Sequence, residues 1–261
     1  MKKFGLKKVY LFFSSIVIFI LHLPFVFAKV KPINELLPQF VKQTVAVSVD
    51  PLLPVTSVVP SKFSLYDSLR LGALGLTRQA YDNALRGFNN LVNAGKIINS
   101  NIISIIDFSK PSSEKRLFVI DVKNPAVLFN TYVAHGVNSG REMANQFSNS
   151  PESNKSSLGF FETETTYNGK NGYSLHLVGL ERGINDNAYD RAIVMHGAEY
   201  VNENMIHNLG YIGRSWGCPA VSPKLSKPII DKIKNGTCLF IYNPDKYYLS
   251  HSRMISNDRV G

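Results

Sequence analysis

The sequence has few of the features that mark several protein classes. It contains only two cysteines, and 18% of its residues are charged, against 44% that are hydrophobic. A disulfide-rich scaffold needs more cysteines, and a disordered chain carries more charge and fewer apolar residues. The 18 glycines and 13 prolines follow no collagen-like period and no repeat is evident, which argues against fibrous and solenoid folds. The composition therefore predicts a globular protein with a sizeable core.

Basic residues are in excess but form no dense block beyond the first eight positions. The net charge is +10, and four of the 29 basic residues are Lys2, Lys3, Lys7 and Lys8. Without these four, 25 basic residues face 19 acidic ones, a net charge of +6. The sequence thus predicts no nucleic-acid partner. The remaining surplus suits an anionic polymer such as cell-wall material, or serves solubility alone.

The N-terminus has the pattern of an export signal. Residues 9–23 are almost uninterrupted apolar, follow the lysines, and precede Val26-Phe27-Ala28, a small-residue cleavage site. Cleavage after Ala28 would leave a protein in the periplasm or cell envelope without stable membrane insertion. The alternative is an uncleaved anchor, because residues 9–28 are about long enough to span a bilayer.

Composition and apolar spacing divide the chain into five segments. Prolines cluster before residue 60, and apolar residues then recur at helical spacing, with Ser64 as a possible helix cap and Asp67 three residues later. We predict a signal peptide (1–28), a proline-containing linker (29–63), a helical N-terminal segment (64–98), a main domain (99–247) and a C-terminal tail (248–261).

The main domain is predicted to be mainly β, with short helices at its margin. Strand-like apolar runs do not alternate with helices as they do in a parallel α/β fold. Helical patterns occur at 199–209 and 222–234. The predicted strands are 102–108, 116–122, 126–134, 158–163, 173–180, 192–195 and 238–242.

The two cysteines stand in different settings. Cys238 lies in an apolar strand-like run, where a buried and inert thiol is expected. Cys218 lies between Gly217 and Pro219 in a polar segment, which indicates a functional role. The pairing of the two in a disulfide stays open.

A catalytic cysteine needs a partner that accepts its proton, and histidine is the usual one. His196 ends a predicted strand 22 residues before Cys218, a spacing that makes it the candidate base. The carbonyl of Gly197 could hold the second ring nitrogen in the required tautomer. Attack on an amide also creates an oxyanion that backbone N–H groups must meet. Because Pro219 has no N–H, we expect the amides of Gly217 and Cys218 to donate to the oxyanion.

These motifs resemble the L,D-transpeptidases with a YkuD-like catalytic domain, and look like their proteobacterial branch. In that family a His-Gly near a strand end supplies the base and a downstream Ser-x-Gly-Cys supplies the nucleophile. The matching residues here are His196-Gly197 and Ser215-Trp216-Gly217-Cys218. The likeness extends over most of residues 102–247, including 134–140, 157–161, 167–175 and 213–220.

The resemblance implies a β-sandwich or sheet domain that acts on peptidoglycan stem peptides. Cys218 would attack the L-centre carbonyl of the third residue and expel the terminal D-Ala. An amine on a second stem would resolve the thioester into a 3-3 cross-link, and water would make the site an L,D-carboxypeptidase. Donor and acceptor stems are the expected partners, and no cofactor is implied.

The chain departs from the commoner family pattern around the nucleophile. Trp216 stands where many relatives have a second histidine, Pro219 follows the cysteine, and the spacing from His196 is slightly long. Trp216 would flank the substrate or pack over its own loop. Residues expected to contact substrate carboxylates or line the groove are Arg214, Ser215, Trp216, Arg191, His135 and Tyr200; for Arg191, a structural pair with Asp190 is the alternative.

Other functions compete with this interpretation. Gly213-Arg214-Ser215-Trp216-Gly217 matches a serine-hydrolase nucleophile elbow, with Asp231 or Asp245 and then His251 in the right order. Pro219 interrupts the helix that such an elbow requires. A zinc site from His196, His207 and Cys218 lacks the close paired spacings of known sites, so no metal is predicted. A non-catalytic peptidoglycan-binding protein that kept the fold is the remaining alternative.

Overall fold

A computed structural model describes residues 64–256. The predicted signal peptide and linker, and the last five residues of the predicted tail, lie outside the described residues. Within residues 64–256, no helix is long and apolar enough to cross a membrane.

Two helices precede the sheet, as the sequence predicts. Helix α1 (Leu65–Ser68) is capped by the Ser64 side chain, which accepts from the Asp67 amide at 3.3 Å. Helix α2 (Arg78–Asn93) is capped by Thr77. One face of α2 is buried, and it approaches the sheet so closely that a Cβ on Gly87 would lie 2.1 Å from the Phe160 ring. A glycine at this position therefore allows the helix to pack on the sheet.

The remaining described residues form one eight-stranded mixed sheet with three further α-helices and a short 3-10 helix (Val137–Ser139). The sheet order is β3-β2-β1-β8-β4-β5-β6-β7. The elements are β1 (Ile102–Asp107), β2 (Leu117–Asp121), β3 (Ala126–Thr131), β4 (Gly159–Gly169), β5 (Gly172–Gly179), β6 (Val194–Gly197), α3 (Glu203–Leu209), β7 (Ala220–Val221), α4 (Pro223–Ile233), β8 (Cys238–Tyr242) and α5 (Lys246–His251).

The last strand in sequence is central in the sheet. Strand β8 pairs in parallel with β1 and antiparallel with β4, and all five of its residues are buried. A strand covered on both faces reads as a continuous apolar run, which is the pattern of residues 238–242. Helix α2 packs near β1 and β8, and helix α4 packs against β5 and β6. The core therefore surrounds β8, and β6 and β7 lie at the sheet edge.

The predicted mainly β fold with peripheral helices is confirmed, with local differences. All seven predicted strands are present, and β4 continues to Gly169, beyond its predicted end. Strand β7 was missed because two residues after a proline give no period-2 pattern. Helix α3 begins at Glu203 because the Asn202 side chain caps it by accepting from the Met205 amide. Helix α5 was also missed, and it crosses the predicted start of the tail at residue 248.

Candidate active site

The edge strands β6 and β7 bring the two candidate catalytic segments together. They pair in parallel, with His196 opposite Ala220 and Gly197 opposite Val221. Cys218 comes two residues before Ala220, so it enters the sheet edge beside β6. On its other side, Ala220 accepts a hydrogen bond from the Ala134 amide at 2.8 Å. Ala220, two residues after Cys218, thus lies between two segments of backbone that fix its position.

His196 is held in one tautomer by its neighbour. The side chain is largely buried, and Nδ1 lies 2.9 Å from the Gly197 carbonyl oxygen. Because a carbonyl only accepts, Nδ1 donates to it, and in a neutral ring Nε2 is then the nitrogen with the lone pair. His196 is thereby arranged as a proton acceptor through Nε2.

Cys218 is partly exposed and its thiol has a backbone partner. Sγ lies 3.7 Å from the Ala192 carbonyl oxygen, to which the thiol donates. Among the described residues the thiol makes this hydrogen bond and none to the His196 ring. Ala192 has φ +54°, which is unusual for a residue with a side chain. The carbonyl that accepts from the Cys218 thiol therefore belongs to a residue in the left-handed conformation.

Opposing electrostatic effects act on the Cys218 thiol. Burial raises its pKa, while the backbone N–H of Val194 and the positive charge of Arg191 lower it. In turn, burial lowers the pKa of Arg191, and the negative charge of Cys218 raises it. The two side chains therefore stabilise each other's charged forms across the site.

Arg191 is a fixed charge bound to a serine-rich loop. Its guanidinium makes no ion pair with Asp190 among the described residues, which corrects the expected structural pair. A Cβ built on Gly217 would lie 3.5 Å from Arg191 Nη2. The guanidinium therefore lies against the loop that contains Cys218, residues 213–219, here called the nucleophile loop. Its hydrogen bonds go to Ser148 O (2.8 Å), Ser157 Oγ (2.6 Å), Ser153 Oγ (3.1 Å) and Lys155 O (2.7 Å).

The Ser215 hydroxyl orders the nucleophile loop. Its Oγ donates to the Cys218 carbonyl at 2.6 Å and accepts from the Gly217 amide at 3.1 Å. Gly217 has φ +123°, and a Cβ there would lie 2.9 Å from the Lys155 carbonyl, so the position requires glycine. The Gly217 N–H is therefore not free. This corrects the expectation that it stabilises an oxyanion.

The serine-hydrolase constellation does not form. Asp231 is bonded to Lys227, to Lys234 at 2.8 Å and to the Tyr173 hydroxyl at 2.7 Å. His251 stacks on Tyr247 in α5, and Asp245 caps the same helix. None of these groups hydrogen bonds to Ser215 in residues 64–256. The order of residues in the sequence matched the motif, but the fold separates them.

Three predicted substrate contacts remain accessible near the nucleophile loop. Trp216 is 77% exposed, so it does not pack over its own loop. Arg214 donates to the Gly140 carbonyl at 3.1 Å and lies over the Tyr211 ring. Burial, followed by the charge of Cys218, raises the pKa of Tyr200 to about 12. The Tyr200 hydroxyl thus stays protonated near the sulfur, and within the described chain it has no hydrogen-bond partner.

His135 was predicted to contact substrate, and the structure corrects this. Its side chain is completely buried, with Nδ1 2.8 Å from Arg116 Nη2 and Nε2 3.3 Å from the Gly140 carbonyl. Burial, then the charge of Arg116, lowers its pKa to about 3. Its backbone carbonyl accepts from the Ser215 amide at 2.9 Å. His135 therefore supports the loop from behind.

Arg116 is a structural residue that the sequence analysis passed over. It is fully buried, donates to the Val133 carbonyl at 2.9 and 3.1 Å and to the Lys110 carbonyl at 2.8 Å, and lies 4.6 Å above the Phe108 ring. Burial lowers its pKa to about 9. In the sequence, the position of Arg116 at the start of an apolar strand is the signal that indicates this buried, hydrogen-bonded role.

The described residues contain no group of three His, Cys, Asp or Glu side chains able to hold a metal ion. Cys238 and Cys218 are both free thiols. The groups that this arrangement brings together are a thiol, an imidazole and hydrogen-bond donors.

Comparison with solved structures finds L,D-transpeptidases at low similarity. An L,D-transpeptidase from Mycobacterium smegmatis is 13% identical with a TM-score of 0.34, over 55% of this chain and 59% of that one. L,D-transpeptidase 1 of Mycobacterium tuberculosis is 13% identical with a TM-score of 0.31, over 55% and 62%. The helical cell shape determining protein Pgp2 from Campylobacter jejuni is 12% identical with a TM-score of 0.36, over 56% and 48%. This chain thus spans less than two thirds of each of them.

The sequence comparisons are more specific. No curated protein matches this chain in sequence. The family model of the L,D-transpeptidase catalytic domain matches residues 73–242, which include α2, the whole sheet and both candidate catalytic residues. Since that match covers well over half of its length, the chain belongs to the L,D-transpeptidase catalytic domain family.

Proposed function

We propose that this protein is a cysteine L,D-transpeptidase that acts on peptidoglycan stem peptides. The observation that carries the proposal is the pairing of β6 with β7, which sets Cys218, two residues before Ala220, beside the strand that contains His196, whose Nδ1 is engaged by the Gly197 carbonyl. Family membership supports the reaction class. The resemblance supports the substrate class.

Acylation begins with rotation of the thiol away from the Ala192 carbonyl. The S–H bond then breaks, its proton passes to His196 Nε2, and the thiolate attacks the L-centre carbonyl of the third stem residue. The C–N bond to the terminal D-Ala breaks as its amine takes the proton from Nε2. A thioester on Cys218 and free D-Ala result.

The transition-state oxyanion needs donors, and the Gly217 amide is committed to Ser215. We assign this role to the Cys218 N–H and the Tyr200 hydroxyl. The raised pKa of Tyr200, about 12, favours this role because the hydroxyl remains a donor over the whole physiological range.

Deacylation resolves the thioester with a second nucleophile. An amine of an acceptor stem loses its proton to His196 Nε2, forms the new amide, and releases Cys218, which regains the proton. The product is a 3-3 cross-link, and with water as acceptor the same steps give an L,D-carboxypeptidase. Arg214 and Trp216 are the proposed contacts to the stems, and Arg191 acts on the thiolate through its charge.

The site of action follows from the substrate. Peptidoglycan lies outside the cytoplasmic membrane, and the N-terminal sequence has the pattern of an export signal cleaved after Ala28. We therefore propose a periplasmic or cell-envelope location.

The test is acylation of the exported form, residues 29–261, by disaccharide-tetrapeptide muropeptides. Intact-protein mass spectrometry should detect a Cys218 adduct together with release of one D-Ala per adduct. Cys218→Ala should form no adduct, and Cys238→Ala is the matched control that should form it at the normal rate. An inert wild-type protein would eliminate the proposal.

One observation favours a second candidate, a non-catalytic peptidoglycan-binding protein. The thiol hydrogen bonds to Ala192 rather than to the base, and Trp216 is free to contact a polymer. This candidate predicts that sacculi are bound equally well after alkylation of Cys218. The adduct experiment separates the two.

A further inference from the structure

A cavity lies on a part of the molecule that shares no residue with the Cys218 site. Its volume is about 640 Å³, within the range of small-molecule and peptide pockets. One wall is the turn after β5, residues 180–184, and the other is α5 with the residues that follow it. The candidate catalytic residues Cys218 and His196 are not among its lining residues.

The lining of this cavity is cationic. Arg182 and Arg253 are both exposed and, within the described chain, neither takes part in a salt bridge. The acidic residue of the lining, Glu181, is buried and bonded to the Phe160 amide, the Tyr248 hydroxyl and Ser252. Burial raises the pKa of Glu181, and the hydrogen bonds from these three donors oppose that shift. The two arginines thus face the cavity without an acidic partner from the lining.

Two acidic side chains stand nearby, Asp245 and Asp186. Asp245 caps α5 by accepting from the Tyr248 amide at 2.8 Å. The pKa of Asp186 is lowered chiefly by the Gly183 N–H, and its Oδ1 accepts from Gly183 at 2.8 Å and from Asn149 at 2.7 Å. The charge of Arg182 makes a smaller contribution. Asp186 is therefore mainly engaged by these two donors and leaves the arginines available.

The rim of the cavity adds an aromatic platform. Tyr247 is 61% exposed, and its ring stacks on His251 with centroids 4.0 Å apart. His251 Nδ1 lies 2.9 Å from the Tyr247 carbonyl, so it carries the hydrogen. Nε2 of His251 has no hydrogen-bond partner within residues 64–256. An exposed ring beside cations suits an anionic ligand that also has a flat or apolar part.

The far wall is held by the N-terminal helix α2. Arg86 Nη1 donates to the Ile255 carbonyl at 2.7 Å, and Asn90 Nδ2 donates to the Met254 carbonyl at 2.9 Å. Binding at a wall held in this way costs less ordering of the chain than binding at a free loop.

A smaller cavity continues from the first toward the catalytic loops. It has a volume of about 220 Å³ and shares Gly183, Ile184 and Tyr247 with the larger one. It also includes Ser148, whose carbonyl accepts from Arg191 at 2.8 Å. Because Arg191 lies against the Cys218 loop, the two cavities form a groove that leads toward that site.

We propose that this groove binds the carboxylates of a peptidoglycan stem peptide other than the stem that reacts at Cys218. The identity of the ligand rests on the proposed function. Arg182 and Arg253, which form no salt bridge within the described residues, supply positive charge that complements the carboxylates. Because the groove continues toward the loop that binds Arg191, a polymeric substrate can contact both sites. A neighbouring stem held in the groove would keep the reacting strand close to the enzyme between turnovers.

The experiment uses the full chain carrying Cys218→Ala, labelled with ¹⁵N-arginine, and a stem tetrapeptide with free carboxylates as the probe. The Nε–Hε signals of Arg182 and Arg253 are assigned from Arg182→Lys and Arg253→Lys. We expect both signals to shift as the tetrapeptide is added. Arg182→Glu/Arg253→Glu should weaken groove binding at least about tenfold, and a tetrapeptide with amidated carboxyls should bind as weakly.

The matched control is Lys115→Glu/Lys170→Glu, which makes the same change of charge at two exposed lysines away from the groove. It should leave the binding constant nearly unchanged. Three results would each overturn the proposal: arginine signals that do not move, equal weakening by the control, or equal binding of the amidated peptide. Failure here is distinct from failure of the proposed function, because the Cys218 adduct is measured separately and should still form in Arg182→Glu/Arg253→Glu.

Discussion

The centre and the edge of the sheet each contain one cysteine, and their surroundings differ in kind. Cys238 lies in β8, where burial raises the pKa of the thiol and the negative charge of Glu181 raises it further. At the edge, burial also raises the pKa of Cys218, but the Val194 N–H and Arg191 oppose it. Burial alone makes a thiol inert. The edge offers a donor and a charge that oppose the effect of burial on the thiol pKa, and the central strand does not.

The two histidines near the nucleophile loop, His135 and His196, also differ in their surroundings. His135 is surrounded by Arg116, Phe108 and the Gly140 carbonyl, and both of its ring nitrogens are engaged. His196 uses only Nδ1, on its neighbour's carbonyl. A histidine with one nitrogen left over can move a proton, and one with both nitrogens bound supports structure.

The largest expected effect comes from replacing each of the two cysteines in turn. Cys218→Ala should lower acylation by at least about 10⁴-fold, because no other nucleophile takes its place. Cys238→Ala should leave acylation intact and reduce the free energy of unfolding by about 1 kcal/mol, through the small cavity that it creates. Mass spectrometry and urea unfolding measure the two effects. A loss of acylation in both variants would erase the distinction.

The next effect concerns the proposed base. His196→Gln should reduce acylation by about 10²- to 10⁴-fold, the usual contribution of a positioned proton acceptor. The rate of Cys218 alkylation by iodoacetamide near pH 7 should fall as well, because proton removal then depends on solvent. Single-turnover mass spectrometry gives the first rate and a fluorescent thiol assay the second. Unchanged alkylation would remove His196 from the mechanism.

His135 should make the stability of the fold depend on pH. Its pKa is lowered to about 3 by burial, so below about pH 6.5 the unfolded chain binds a proton that the folded chain does not. The stability is fully present above pH 6.5 and is lost as the pH falls. Between pH 7 and pH 5 this group should reduce the free energy of unfolding by about 2 kcal/mol.

Urea unfolding at the two pH values measures this loss. His135→Gln removes the titrating ring, so the loss between pH 7 and pH 5 should be about 2 kcal/mol smaller than in the wild type. Identical dependence in His135→Gln would mean that other groups cause it.

The smallest effect tests Arg191 as a fixed charge. Because its charge lowers the pKa of Cys218, Arg191→Gln should raise that pKa and shift the alkylation profile to higher pH. At pH 7 the alkylation rate should fall about two- to fivefold, the range expected for a partly screened charge pair. Arg191→Lys keeps the charge and should stay closer to the wild type. Equal rates in the two variants would assign Arg191 a packing role only.

Much of the fold was predictable because the strands have a clear composition. The run at residues 238–242 is apolar throughout, and the structure makes it the buried central strand β8. His196 at a strand end and Cys218 in a polar turn were also identifiable from their local context. The pairing of β6 with β7 was not, because two residues after Pro219 carry no periodic pattern.

The details of the site were less predictable because they depend on contacts between distant loops. The sequence suggested a free Gly217 amide, whereas the Ser215 hydroxyl two residues earlier takes it. The serines of residues 148–157 looked like an ordinary loop, yet they bind Arg191 beside the nucleophile. Only tertiary structure could show that His135 lies behind this loop, because its sequence context is a glycine-rich turn.

The central position of β8 also decides how far damage to one strand would spread. In the sheet order, β8 lies between β1 to β3 on one side and β4 to β7 on the other, so its loss would interrupt the ladder of backbone hydrogen bonds in the middle of the sheet. The parallel pair of β1 with β8 closes a loop of more than a hundred residues. Assembly of the sheet therefore depends on contacts between residues distant in sequence, which is the condition under which a domain folds slowly.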